Sequence, residues 1–417
     1  MRQRLPPALQ LRDFAFLWSA ILCMRFAENM IAVAVGWQVY AIHKNPLDLG
    51  LVGLFEFAPL PILALPAGHL ADRIPRRLQA SISLGVMVMV AVGLLLVSAN
   101  GASKTWPFFL LAAASGCASA IGWPAFGALT PELVPVEILP GAMALRSIAG
   151  QIAVVAGPAI GGVLFSIHSE SVYGVSAVLF GFALGALFAL RSPTLARNIE
   201  RAPGFAGLAD GVRLVLRTRM LLGAIAQDLI AVLFGGAIAL APVFAREILH
   251  VGPVGLGILR SAPAVGALAA GIILARRPLQ TRAGPTLLIV VGIFGACMIV
   301  FGLSRSMELS VAALGIAGFV DLISVNIRST TVGLITPNEL RGRVNAVEMV
   351  FISASNELGA FESGAVAALV GTVTSVVAGG IATIGLALSW TRLFPSLARL
   401  GRLEDIRPEP VATLVRP

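Results

Sequence analysis

The stretch Gly68-His-Leu-Ala-Asp-Arg-Ile-Pro-Arg-Arg77 decides how this chain is read. Asp72, Arg73, Arg76 and Arg77 crowd into ten residues, and long apolar runs lie on either side. In a bilayer protein, a short basic loop between two apolar segments marks the cytoplasmic side. Gly68 allows two helix ends to approach closely. Asp72 is suited to a helix N-terminus, where it complements the dipole. The arginines are suited to an anionic inner leaflet.

The composition around this loop agrees. Apolar residues make up 57 % of the 417-residue chain and charged residues only 12 %. Soluble domains carry about 25 % charged residues, so lipid must solvate most of this surface. A span of roughly 20 residues plus a short loop fits into the chain about a dozen times. The net charge of +9 comes from basic residues scattered through short loops. That pattern excludes a nucleic-acid partner and fits a positive-inside bias.

Cys23, Cys117 and Cys297 all fall inside apolar runs, and no CxxC or HxxxH pattern is present. Neither a disulfide framework, a metal site nor a cofactor is expected. The first apolar run, from Phe14 to Ile42, contains Arg25 and Glu28. It is too long and too polar for a signal-peptide core. GxxxxGK[ST], HExxH and GxSxG are absent, so an enzyme is not expected.

Apolar runs between charged or Pro/Gly breaks predict twelve spans. The first six are 14–42, 47–68, 78–98, 106–131, 140–166 and 172–190. The second six are 220–245, 253–275, 285–303, 308–335, 344–370 and 373–394. The fold class is therefore all-α and polytopic. Residues 1–190 form one six-helix bundle, 191–219 a cytoplasmic linker, 220–394 a second bundle, and 395–417 a tail. A surface helix is expected at Leu208–Leu216 in the linker.

With the N-terminus inside, 22 of the 30 Lys and Arg lie on the cytoplasmic side, Arg392 at the inner end of the last span included. The opposite loops hold four: Lys44, Lys104, Arg246 and Arg305. Both termini are therefore expected in the cytoplasm. The halves also echo each other. Leu51–Pro59 aligns with Gly255–Pro263 at an offset of 204, and Leu129-Thr130-Pro131 echoes Ile335-Thr336-Pro337 at 206. A near-constant offset of about half the chain points to a duplicated bundle.

The 68–77 loop resembles the major facilitator superfamily signature Gly-x-Leu-Ala-Asp-Arg-x-Gly-Arg-Arg. Gly68, Leu70, Ala71, Asp72, Arg73, Arg76 and Arg77 match, and Pro75 replaces a glycine. The resemblance implies that Asp72 latches the outward-facing state against the start of the eleventh helix. Here that start is Leu340-Arg341-Gly342-Arg343. Gly36–Tyr40, Pro46–Gly53 and Thr336–Val344 are similar to the enterobactin-exporter-like branch. Gly157-Pro158-Ala159-Ile160-Gly161-Gly162 resembles the glycine–proline motif of superfamily antiporters. Proline there bends the helix, and the glycines permit tight packing. The span 106–131 lacks the arginine typical of drug–proton antiporters.

Charges inside spans are costly unless they face a cavity or a partner. Arg25 and Glu28, three apart, are expected to pair on one helix face. Spans one, four, seven and ten line the cavity in the superfamily. That places Arg25, Glu28, Asp228, Asp321 and Arg328 as candidates for proton coupling or substrate contact. Arg328 lies seven residues beyond Asp321, on nearly the same face. Glu56 and Arg260 occupy matching repeat positions with opposite charge and are expected to interact.

The expected function is a monomeric secondary transporter of the bacterial inner membrane. It would export a small siderophore- or drug-like molecule by alternating access against inward proton flow. An importer of the same fold, or a receptor or scaffold that does not transport, remains an open alternative.

Overall fold

A computed structural model describes residues 6–63, 74–191, 205–277, 282–337 and 340–403. The described residues are helical and contain no strand. Among the described residues, eleven helices are long and apolar enough to cross a membrane. They are α1 (Arg12–His43), α2 (Pro46–Leu63), α3 (Arg76–Ala99), α4 (Trp106–Leu133), α5 (Leu139–Ile167), α6 (Ser169–Phe188), α7 (Arg219–Ile248), α8 (Gly252–Arg276), α9 (Ala283–Leu303), α10 (Met307–Ile335) and α12 (Thr372–Leu393). Between the last two lies α11 (Arg341–Val370). It is also long enough, but its charged residues Arg341, Arg343, Glu348, Glu357 and Glu362 lower its apolarity. The architecture is the twelve-helix one expected from the sequence.

Local chemistry sets the helix boundaries. α1 stops where Lys44 adopts a left-handed conformation (φ 53°) and its N–H bonds to Tyr40 O. Asn45 then accepts from the Leu47 N–H at 3.0 Å, and Pro46 occupies the first helical position of α2. A side-chain acceptor followed by proline is a strong helix start. α7 is helical to Phe234. It then passes through a 3₁₀ turn (Gly236–Leu240) and a wide π turn (Phe244–Ile248). Gly235, Gly236 and Pro242 explain the break, because they weaken or remove helical hydrogen bonds there. The linker helix Phe205–Arg217 contains the expected 208–216 segment.

Large apolar side chains face outward all along the helices. Ile62, Met89, Val178, Leu369 and Leu388 are each at least 65 % exposed. Such exposure is expected where lipid is the solvent.

The helices group into two compact units. The first comprises Met1–Lys44, Phe55–Arg201 and Val251–Ser261, and the second Asn45–Leu54, Ala202–His250 and Ala262–Pro417. The division departs from a simple halving of the chain, because the first part of α2 joins the second unit and the first part of α8 joins the first. Glycines explain both placements. A Cβ on Gly50 would lie 2.9 Å from Phe361 Cα, and one on Gly364 would lie 2.8 Å from Pro46 O. Gly162 would collide with Pro253 O, and Gly257 with Pro158 O. Small residues at these crossings let backbones touch, which is how helices gain packing energy in lipid.

Each unit has its own apolar core. In the first, Leu17, Met24, Leu84, Met87, Phe126, Leu129 and Phe180 interlock. A buried polar chain crosses this unit: Tyr173 Oη donates to Gln38 Oε1 at 2.8 Å, and Gln38 Nε2 donates to Ser98 Oγ at 2.9 Å. In the second, Leu221, Leu287, Ile327, Val344, Val347 and Trp390 pack together with Leu214 and Val215 of the linker helix. Trp390 Nε1 donates to Gly223 O at 3.0 Å. Satisfying each polar group internally is what a lipid environment demands.

Candidate functional site

Two charge clusters lie within the spanning helices, one in each unit. The first is built on α1. Arg25 Nη1 donates to Glu28 Oε2 at 3.1 Å, so the expected i,i+3 pair forms. The Arg25 guanidinium also stands 5.3 Å above the Trp123 ring of α4. A cation over an indole face is attracted by the ring quadrupole, more strongly where water is excluded. Glu28 therefore shares its arginine with an aromatic wall. Its side chain stays 23 % exposed.

Arg146 of α5 completes this region. Its Nη1 donates to Phe126 O and Gly127 O of α4 at 3.2 and 3.3 Å. Pro131, four residues beyond Gly127, has no N–H to offer that carbonyl. The arginine supplies the missing donor.

The second cluster joins α7 and α10. Arg328, only 6 % exposed, forms a salt bridge with Asp228, and its Nε donates to Ser324 O at 3.3 Å. Asp228, Asp321, Ser324 and Arg328 line one cavity with Gln227 and the Phe294 ring of α9. This cavity encloses about 340 Å³ of empty space, its open mouth included. Asp321 is exposed, whereas Gln227 is completely buried. Among the described residues no three His, Cys, Asp or Glu side chains converge on a point.

The remaining predicted site residues are distributed as follows. Gly68, Asp72 and Arg73 lie outside the described residues. Arg76 Nη1 bonds Glu132 Oε1 at 2.5 Å, and Arg77 Nη2 donates to Phe188 O at 2.7 Å. These two arginines thus tie α3 to the ends of α4 and α6 rather than serving only a lipid surface. Arg341 and Arg343 open α11. A Cβ on Gly211 of the linker helix would lie 2.8 Å from Arg343 O.

Gly157 and Gly161 press against α1, where a Cβ would lie 2.8 Å from Asn29 Cβ and 2.9 Å from Met30 Cα. Gly162 and Pro158 meet α8. Arg260 Nη1 donates to Ala32 O at 2.9 Å, linking α8 to α1. Glu56 stands where α2 crosses α4 at Gly116.

Two participants escaped the sequence reading. Neither Trp123 nor Gln227 is among the candidate residues named from the sequence. The signal for Gln227 was present, since an amide next to an intramembrane aspartate sits where a helix must face something polar.

The transmembrane secretion effector family matches residues 5–410. The enterobactin exporter EntS of Citrobacter koseri is 26 % identical over 410 residues, covering 94 % of each chain. EntS of Shigella boydii is likewise 26 % identical, over 413 residues, covering 94 % of this chain and 95 % of the other. The uncharacterized MFS-type transporter YfiS of Bacillus subtilis is 27 % identical over 192 residues, 44 % of either chain. Among solved structures, a point mutant of the nucleoside transporter NupG superposes with a TM-score of 0.73 at 14 % identity, covering 92 % of this chain and all of that one. A bacterial homologue of the iron transporter ferroportin, in an inward-facing state, gives 0.72 at 15 % identity over 94 % of this chain and 99 % of that one. At such identities the structural likeness speaks for the fold alone.

Proposed function

The chain belongs to the transmembrane secretion effector family of major facilitator transporters, and on that footing we propose that it exports a small organic molecule coupled to inward proton flow. It is a multi-pass membrane transporter with exporter-like relatives. The proposal covers the substrate class, the antiport and the proton. The bacterial inner membrane, cytoplasmic termini, a monomeric state and the absence of enzymatic activity belong to it too.

One observation carries the coupling. The Glu28 carboxylate lies within the first spanning helix, where it is salt-bridged to Arg25 and 23 % exposed. Protonation would release Arg25 to the Trp123 face and remove one negative charge from the cluster. The relative energies of two conformations shift when such a charge is removed. Asp321 and Asp228 are the next candidates for proton or substrate contact, with Arg328 as their counter-charge. Gly68, Asp72, Arg73, Arg76, Arg77, Arg341 and Arg343 form the proposed gate. Gly157, Pro158, Gly161 and Gly162 form the proposed pivot, and Glu56 and Arg260 an interacting pair. Residues 1–190 and 220–394 are the two bundles of this reading, joined by 191–219.

The relatives named as enterobactin exporters make a siderophore-like molecule the first substrate to try. The purified protein is screened by thermal shift against enterobactin and a panel of antibiotics. The compound that shifts it is then followed in proteoliposomes under an imposed pH gradient. Uptake into inverted vesicles that collapses with a protonophore supports the reading. Counterflow without any response to the gradient removes the coupling, and no counterflow at all removes the transporter.

A further inference from the structure

The cavity between α7, α9 and α10 holds a polar group that no described residue satisfies. Gln227 is completely buried, and neither its Oε1 nor its Nε2 has a hydrogen-bond partner among the described residues. Leaving a buried polar group unpaired costs about 1–3 kcal/mol, and such an orphan points to a missing water or ion. Asp321 lines the same cavity and forms no salt bridge among the described residues.

Charge narrows the missing species. Asp228 is compensated by Arg328, which spends Nη1 on that carboxylate and Nε on Ser324 O. What remains in the cavity lining is the single negative charge of Asp321 beside the neutral amide oxygen of Gln227. Glu348 of α11 lies within electrostatic reach of Asp228 and Arg328 but does not line the cavity. Hard cations are bound by carboxylate and amide oxygens. A monovalent ion would neutralise the lining, whereas a divalent ion would leave an excess positive charge between Val and Phe walls.

We propose that this cavity binds one monovalent alkali-metal cation, coordinated by Asp321, the second carboxylate oxygen of Asp228 and Gln227 Oε1. A water on the ion gives Gln227 Nε2 its acceptor. A bare proton would leave the amide unsatisfied, and this separates the site from the proton site assigned to Glu28. Binding is a property of the cavity alone. Only its consequence, a second coupling ion, rests on the exporter reading.

The test titrates the purified full-length protein with sodium chloride, choline chloride holding ionic strength constant at fixed pH, and follows thermal unfolding. A saturable rise in Tm with sodium, absent in choline alone, is expected. Asp321→Asn and Gln227→Leu should each raise the half-maximal sodium concentration at least tenfold. Gln227→Glu, which keeps an oxygen ligand, should retain the response even if the leucine variant fails to fold. Glu28→Gln should leave the titration intact. Equal Tm in sodium and choline, an undiminished response in Asp321→Asn, or a response to calcium in place of sodium overturns the proposal. A sodium response in a protein that shows no counterflow sinks the exporter reading and leaves the cation site standing.

Discussion

The guanidinium of Arg146 caps the carbonyl of Gly127, the group that Pro131 deprives of its helical donor. A proline inside a span is tolerated where a neighbouring helix re-satisfies the freed backbone group. Here the neighbour is charged, and charge-assisted bonds contribute about 1.5–3 kcal/mol. Arg146→Ala should therefore destabilise the protein by roughly that amount. In a Pro131→Ala background the loss should shrink, because an alanine N–H can serve Gly127 again. A double-mutant cycle on reversible unfolding in mixed detergent reads the coupling, and additive effects would show the cap to be incidental.

The Asp228–Arg328 salt bridge supports a larger effect. Arg328 is nearly inaccessible, so Asp228→Asn would strand a buried charge. Removing one partner of a buried pair costs about 3–5 kcal/mol. Combining it with Arg328→Gln should recover part of the loss, since the double variant strands no charge. Unfolding midpoints of the two single variants and the double variant decide the matter. A double variant no more stable than Asp228→Asn would deny that the pair is the reason.

This pair also marks where reading from sequence stops. The Arg25–Glu28 bridge was legible because three residues along one helix bring side chains into reach. Arg328 and Asp321 share a face too, but seven residues at 1.5 Å each set them about 10 Å apart. The arginine instead reaches Asp228 on another helix, a distance that no single-helix periodicity encodes. Eleven of the spans were legible because hydropathy alone marks them; α11, with its five charges, is less apolar and was legible only as a run between charged and glycine breaks. The break in α7 was not read, although Gly235, Gly236 and Pro242 stood in the predicted span 220–245.

The internal repeat yields a sharper prediction. Gly53 and Gly257 occupy matching positions, and each sits at a close helix crossing. Their obstacles differ. A Cβ on Gly53 would first meet Glu357 Oε2, the end of a flexible side chain, at 2.8 Å. A Cβ on Gly257 would strike the Pro158 carbonyl and come within 3.1 Å of Ala159 Cα, both backbone. Gly257→Ala should therefore destabilise by about 1–3 kcal/mol, the usual cost of overpacking. Gly53→Ala should cost much less, because a carboxylate can swing aside. Equal losses in Tm would mean that the crossings tolerate backbone shifts alike.

Glu28 carries the strongest functional expectation. Glutamine keeps its length and an oxygen for Arg25, yet cannot exchange a proton near neutral pH. The 3.1 Å contact with Arg25 becomes a neutral–charged hydrogen bond, so the fold should lose at most about 1–2 kcal/mol. Gradient-driven transport in proteoliposomes should fall by at least tenfold, while the ligand-induced thermal shift persists. If the carboxylate mattered only for packing, the opposite split would appear: a lowered Tm with gradient-driven transport retained. Trp123→Ala provides the companion measurement. Removing the ring that holds Arg25 when Glu28 is neutral should weaken coupling without removing the carboxylate. It should shift the pH dependence of transport, whereas Glu28→Gln should erase it.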